Sequence, residues 1–252
     1  MGVKINKLVG QVFESTKYGK FEVLEYQHHS KIKVMFLETG FTTYSQHSKV
    51  IHGQIKDHLQ PSVFGVGVTG GITTRSLGGK TSLNYNTWIG MLERCYSERY
   101  QQEKSTYKDC SVSENFKYFP YFKDWCEKQV GFGNKGWHLD KDIIKKGNKI
   151  YSEDTCCFVP QEVNCLITLC GNRRGEYPIG VSYDAEVEKF AANIAIAGKN
   201  KRLGRFDTYQ DAFYVYKEAK ESRIKEVADK WKDQIDVRAY EALMNWKIEI
   251  TD

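Results

Sequence analysis

Between Trp137 and Asn164 the chain reads WHLDKDIIKKGNKIYSEDTCCFVPQEVN, and this order of residue types suits one task, holding a divalent cation against a phosphate. Strand alternation sets His138, Asp140 and Asp142 on one face, with Leu139 and Lys141 on the other. An imidazole and two carboxylates side by side offer nitrogen and oxygen ligands to a hydrated cation. Gly147 and Asn148, then Ser152, Glu153 and Asp154, supply turns, and Cys156 to Val159 supply a second apolar strand. Pro160 suits the start of a helix carrying Asn164. A hairpin feeding a helix thus gathers polar groups from three distant places in the sequence.

This segment resembles the HNH endonuclease motif, whose ββα-metal unit pairs an Asp-His step on the first strand with an Asn in the loop and an Asn or His on the helix. The resemblance covers about the middle third of the chain. It implies metal-assisted phosphodiester hydrolysis with Mg²⁺ or Mn²⁺, in which Asp140 is the metal-binding Asp and Asn164 the helix ligand. Asn148 matches the loop Asn that orients the general base. One position departs from the family, because Lys141 stands where it has its general-base His. A lysine of ordinary pKa is protonated at neutral pH and is a poor base.

Two readings follow. In one, His138 or a metal-bound hydroxide supplies the nucleophile, and Lys141 is either deprotonated by burial beside the cation or steadies charge on the phosphate. In the other, hairpin and helix serve as a DNA-binding wedge, Lys141 contacts a phosphate, and cleavage is lost. The second describes a transcriptional regulator derived from an endonuclease.

Further along, residues 175–213 contain KFAANIAI and RLGRF, which alternate as strands around the basic turn Gly198 to Lys201. Asp207 and Thr208 sit where a helix cap belongs, and Ala212, Phe213, Val215, Tyr216 and Ala219 form an apolar stripe after it. This stretch resembles the AP2-type DNA-binding domain, three antiparallel strands packed on one helix. The resemblance implies that the sheet enters the major groove. Its outward candidates are Arg173, Arg174, Tyr183, Lys189, Asn193, Lys199, Lys201, Arg202 and Arg205. Arginine and asparagine read base edges, whereas lysines mainly neutralise phosphates. Glu186 and Glu188 place negative charge on an outer strand, against this pattern.

The elements that position these groups follow from periodicity. Residues 1–68 read as a small SH3-like β-barrel filled by Val12, Phe21, Val23, Ile32, Val34, Phe36 and Phe41, with residues 40–45 as an exposed aromatic and hydroxyl edge. Residues 69–83 belong to a glycine-rich basic linker. The stretch from 64 to 80 holds six glycines with Arg75 and Lys80, yet lacks phosphate-loop spacing. In 84–172, helical spacing of Tyr85, Trp88, Met91, Leu92 and Cys95, and again of Phe116, Phe119, Phe122, Trp125 and Cys126, gives a helical lead-in to the ββα unit. That lead-in is similar to one in phage-type HNH proteins. Both tryptophans are assigned to packing, and Arg94 on the polar side is a phosphate contact. Residues 173–252 hold the AP2-like sheet and closing helices, whose apolar stripe either completes the domain or meets a second copy.

The fold class expected is therefore α+β, and the function that of a site-specific homing-type or phage-encoded endonuclease that hydrolyses double-stranded DNA with a divalent metal in the host cytoplasm, the alternative being the DNA-binding regulator without cleavage. The formal charge of +5 over 252 residues permits a polyanion partner without requiring one. No apolar run approaches the roughly 20 residues that span a bilayer, so no membrane role is expected. The seven cysteines are odd in number and contain no CxxC pair. Small buried thiols in a reducing compartment are the simpler reading, and zinc held by three of Cys156, Cys157, Cys165 and Cys170 the lesser one.

Overall fold

In the computed structural model, which describes residues 7–76, 78–167, 176–196 and 198–252, the alternating segments near the N-terminus form an antiparallel meander. Strands β1 (Val12–Ser15), β2 (Gly19–His28), β3 (Lys31–Phe36) and β4 (Thr42–Ser45) pair in the order β1-β2-β3-β4. The period-2 pattern turns Phe21, Val23, Ile32, Val34 and Phe36 to one face, where all are fully buried. Helix α1 (His47–Ile51) adds Val50 to that core, and Ile55 follows. The expected barrel is not closed. Among the described residues β1 and β4 are the two edges of an open sheet. Register also corrects one core residue: Phe13 lies opposite Phe21 and packs inward, so its neighbour Val12 is exposed.

Residues 64–71 are packed rather than a plain linker. Val68 bridges Tyr118, and Gly67 lies so near Leu92 and Trp88 that a Cβ there would stand 2.6 and 2.9 Å from them. Helix α2 (Leu83–Tyr96) begins at Ser82, whose side chain accepts from the Tyr85 N–H. After it come α3 (Glu98–Glu103), a 3₁₀ turn (Ser105–Tyr107), β5 (Ser111–Val112), α4 (Glu114–Lys117) and α5 (Phe119–Glu127). Trp88, Met91, Leu92, Phe116, Phe119 and Phe122 are fully buried, and Trp88 Nε1 donates to the Phe116 carbonyl at 2.7 Å. Trp88 is therefore a core side chain, not a platform for nucleic-acid bases.

The chain divides into two compact units, Met1–Asp124 and Trp125–Asp252, so the division falls inside the segment 84–172 that periodicity alone treats as one. The second unit contains β6 (Trp137–Asp140), β7 (Ile150–Tyr151), β8 (Cys157–Pro160) and α6 (Gln161–Ile167). Next come β9 (Val181–Asp184), β10 (Lys189–Ile196), β11 (Lys199–Phe206), α7 (Tyr209–Trp231) and α8 (Val237–Met244). β6 pairs antiparallel with β8, Asp140 opposite Cys157 and Trp137 opposite Pro160. Pro160 thus closes a strand instead of opening the helix behind it.

The second sheet has the order β11-β10-β9, all antiparallel, with α7 packed across it. Thr208 caps α7 by accepting from the Asp211 N–H at 3.1 Å. Ala212, Phe213 and Tyr216 of α7 are buried with Ala192 and Ile194 of β10. The same cluster takes in Ile143, Cys157, Val159 and Val163, so hairpin, sheet and helices share one core. Each large apolar side chain removed from water here stabilises by about 1.5–3 kcal/mol. The protein is a mixed α+β structure.

Candidate nucleic-acid interface

Asp140 ends β6 because its carboxylate takes over the next backbone bonds. Its Oδ1 accepts from the N–H groups of Asp142 at 2.7 Å and Ile143 at 2.8 Å, which turns the chain out of the strand. Burial raises its carboxyl above the ordinary range, and the two backbone bonds oppose that rise. Oδ2 accepts no hydrogen bond from the described residues.

Strand alternation stops at this turn, so Lys141 and Asp142, expected on opposite faces, meet instead. Lys141 is 5% exposed. Its Nζ donates to both Asp142 oxygens, at 2.7 and 2.6 Å, and to the Asn148 carbonyl at 3.0 Å, and it lies over the Tyr151 ring. All three ammonium protons are thereby directed at oxygen.

Asn148 holds the loop closed. Its Nδ2 donates to the Lys141 carbonyl at 2.9 Å and the Ile150 carbonyl at 2.7 Å, while its Oδ1 accepts from the Ile150 N–H. The loop Asn therefore orients the backbone of position 141 and not the His138 ring. His138 sits exposed on β6 opposite Val159. Asn164 is on α6, which packs on β6 and β8.

Two anchors carried no sequence signal. Arg238 lies 82 to 85 positions from its partners, donating to the carbonyls of Glu153, Asp154 and Cys156, and its guanidinium is held by Asp236. Glu162, in the first turn of α6, accepts from Lys230 Nζ at 2.5 Å and Trp231 Nε1 at 3.0 Å of α7. The hairpin and its helix are thus tied to the elements behind the second sheet.

The metal question turns on donor chemistry. Asp140 and Asn164 offer oxygen, which suits Mg²⁺ or Mn²⁺. Among the described residues no group of three His, Cys, Asp or Glu side chains gathers for a cation. Burial pushes the Cys126, Cys156 and Cys157 thiols up, toward the protonated state. Cys165 is exposed on α6, and Cys170 lies outside the described residues.

On the second sheet, cross-strand pairing decides which candidates share a face. Arg205 lies opposite Ala191, which lies opposite Ser182, and Arg202 lies opposite Asn193. Asn193 Nδ2 donates to Ser182 Oγ at 3.0 Å, and Asp184 lies opposite Lys189. Lys189, Asn193, Arg202 and Arg205 therefore occupy one outer face, turned away from α7. Lys199 and Lys201 lie opposite Ile196 and Ile194, and Ile194 is a core residue, so register sets both lysines on the other side. Tyr183 also lies there, opposite Phe190, with its ring packed at a tilt against those of Phe190 and Tyr177. Arg94 belongs to the first unit, its guanidinium over the Tyr107 ring. Arg173 and Arg174 lie outside the described residues.

The acidic residue on the outer face is Asp184, not Glu186 or Glu188, which belong to the β9–β10 turn. Asp184 Oδ2 accepts from Arg205 Nε at 3.0 Å and Nη2 at 2.9 Å, with Arg202 Nη1 at 3.5 Å. Arg205 beside it holds its carboxyl below the ordinary range. Lys189 Nζ is paired with Asp207 at 2.7 Å. No protein-family model, curated protein or solved structure matches this chain.

Proposed function

We propose that this chain is a site-specific double-stranded-DNA-binding protein that sets the outer face of β9–β10–β11 in the major groove. On this reading the sheet and α7 are the AP2-like reader and β6, β8 and α6 the HNH-like ββα unit that the sequence resembles, acting on DNA in a phage-infected cytoplasm. The observation that carries it is the collection of Lys189, Asn193, Arg202 and Arg205 on one face by strand register. Two of these are arginines, able to pair bidentately with a guanine edge, and one is an amide suited to adenine.

Binding without cutting is the form the geometry favours. Lys141 occupies the general-base position, is almost fully buried, and is committed to Asp142 and Asn148. Such a cation supports the loop and does not abstract a proton. The second reading, metal-dependent endonuclease, is favoured by Asp140, a half-buried carboxylate with one oxygen outside the turn's hydrogen bonds. In that case Asp140 and Asn164 would hold Mg²⁺ or Mn²⁺, which when bound polarises a phosphoryl oxygen and acidifies water. His138, exposed on β6, would serve as the base.

The test selects duplexes from a random pool with the full-length chain, then incubates the selected duplex with Mg²⁺ or Mn²⁺. Retention of one sequence by both wild type and Asp140→Ala, with neither cutting, is expected. Strand scission by wild type that Asp140→Ala abolishes establishes the endonuclease instead. Failure to enrich any sequence overturns the DNA-reading assignment.

A further inference from the structure

The cations on the outer face of the second sheet are paired with carboxylates, which is unexpected for a surface that meets a polyanion only through its charge. Lys189 is matched by Asp207, and Arg202 and Arg205 converge on Asp184, so three cations face two carboxylates. A surface that bound DNA through phosphates alone would gain by leaving these cations unpaired. Asp184 stands inside the sheet face, its side chain only 15% exposed, with the arginines outside it at 48% and 42%.

The geometry of Arg205 is specific. Both contacts with Asp184 use the same side of the guanidinium, Nε and Nη2. The end formed by Nη1 and the outward N–H of Nη2 stays available, since a planar guanidinium has five N–H donors in a fixed fork. A fork held along one edge presents its end in a single orientation, and that end matches two adjacent acceptors such as guanine O6 and N7. Phosphate oxygens make no comparable demand on direction, and a carboxylate behind the fork repels them.

We propose that Asp184 is a positioning residue that fixes Arg205 end-on for base readout and suppresses sequence-independent binding to phosphates. Its ligand is a duplex bearing a guanine opposite Arg205. This rests on the reading of the sheet as the DNA-contacting surface and adds to it an acidic residue that sets selectivity.

The experiment measures fluorescence anisotropy of the full-length chain with its selected duplex and with a scrambled duplex, across a salt series. In Asp184→Ala the ratio of selected to scrambled affinity falls about tenfold, the worth of one bidentate base contact. Scrambled binding tightens, and its dependence on log salt steepens by about one, because a freed arginine now neutralises a phosphate. Asp184→Glu keeps the carboxylate and retains most of the selectivity. Arg205→Lys, which has no fork, loses selectivity even with Asp184 present. Circular dichroism confirms that each variant is folded.

An unchanged ratio and slope in folded Asp184→Ala overturn the inference, as does equal weakening on both duplexes, which marks a purely structural role. Should Asp184→Ala fail to fold, Arg205→Lys decides, and unchanged selectivity there is overturning too. A wild type that prefers no duplex overturns the underlying reading together with this one, which separates that failure from one confined to the variants.

Discussion

Replacing Lys141 by methionine keeps an unbranched stem over the Tyr151 ring and removes the ammonium that binds Asp142 and Asn148. A hydrogen bond to a charged group contributes about 1.5–3 kcal/mol, and breaking a fully buried pair costs roughly 3–5. Here the Asp142 side chain is 41% exposed, so once abandoned it rehydrates, and the larger figure does not apply. The expected loss is about 1–2 kcal/mol, or roughly 4–8 °C for a unit of this size. Urea titration followed by tryptophan fluorescence reports it, since Trp125, Trp137, Trp231 and Trp246 all lie in the second unit. Lys189→Met is the control: its partner Asp207 is 84% exposed, and the change stays within about 0.5 kcal/mol. If Lys141→Met is no more costly than Lys189→Met, the loop does not depend on this cation, and Lys141 is not a structural replacement for a base.

Other expectations follow from single observations. Asp140→Asn keeps an oxygen acceptor for the Asp142 and Ile143 N–H groups while removing a half-buried charge that desolvation disfavours, so the urea midpoint at neutral pH rises; a fall would show that the ionised form is the one the fold needs. Gly180 has φ +79° and lies against Tyr216, where a Cβ would stand 2.1 Å from the ring, so Gly180→Ala costs at least about 2 kcal/mol by thermal denaturation. Lys199→Ala and Lys201→Ala, on the opposite side of the sheet, leave the selected DNA sequence unchanged in a repeated selection, whereas Arg202→Ala alters it. At Asp236 burial pushes the carboxyl up, but the bonds from Arg238 outweigh it and hold the group below its ordinary range. Its folded pKa is thus depressed, so its stabilisation is present above the ordinary carboxylate pKa and lost as pH falls through the folded value. Asp236→Asn is accordingly less stable than wild type at pH 7, and chemical denaturation across pH shows the gap closing toward acid.

Local patterns carried most of the element assignments. The strand period around Phe21 to Phe36 placed the inward residues, and the stripe Ala212, Phe213, Tyr216 correctly named the face of α7 that packs on its sheet. Where expectations slipped, the competing influence was nonlocal. Val12 and Phe13 suit a core equally well, and only pairing with β2 chose between them. The glycines at 67 and 70 resemble a linker until Trp88, Leu92 and Pro120 are laid against them. Closure of the first sheet depends on edge pairing, which no short window encodes.

For the candidate site the sequence by itself determined the cast: a carboxylate, a lysine and an asparagine about a tight loop, and a basic strand pair beyond them. Those facts reside in residue type and short spacing, which dictate what a side chain can donate, accept or ionise. What only the tertiary structure decided is who is paired with whom. Lys141 is buried against Asp142 because the Asp140 carboxylate bends the chain there. Asp184 comes to sit behind Arg205 because β9 and β11 flank β10 in the folded sheet and their outer side chains meet across it. Charge pairing falls steeply with distance and with exposure to water, so it is set by the packed arrangement and not by order along the chain.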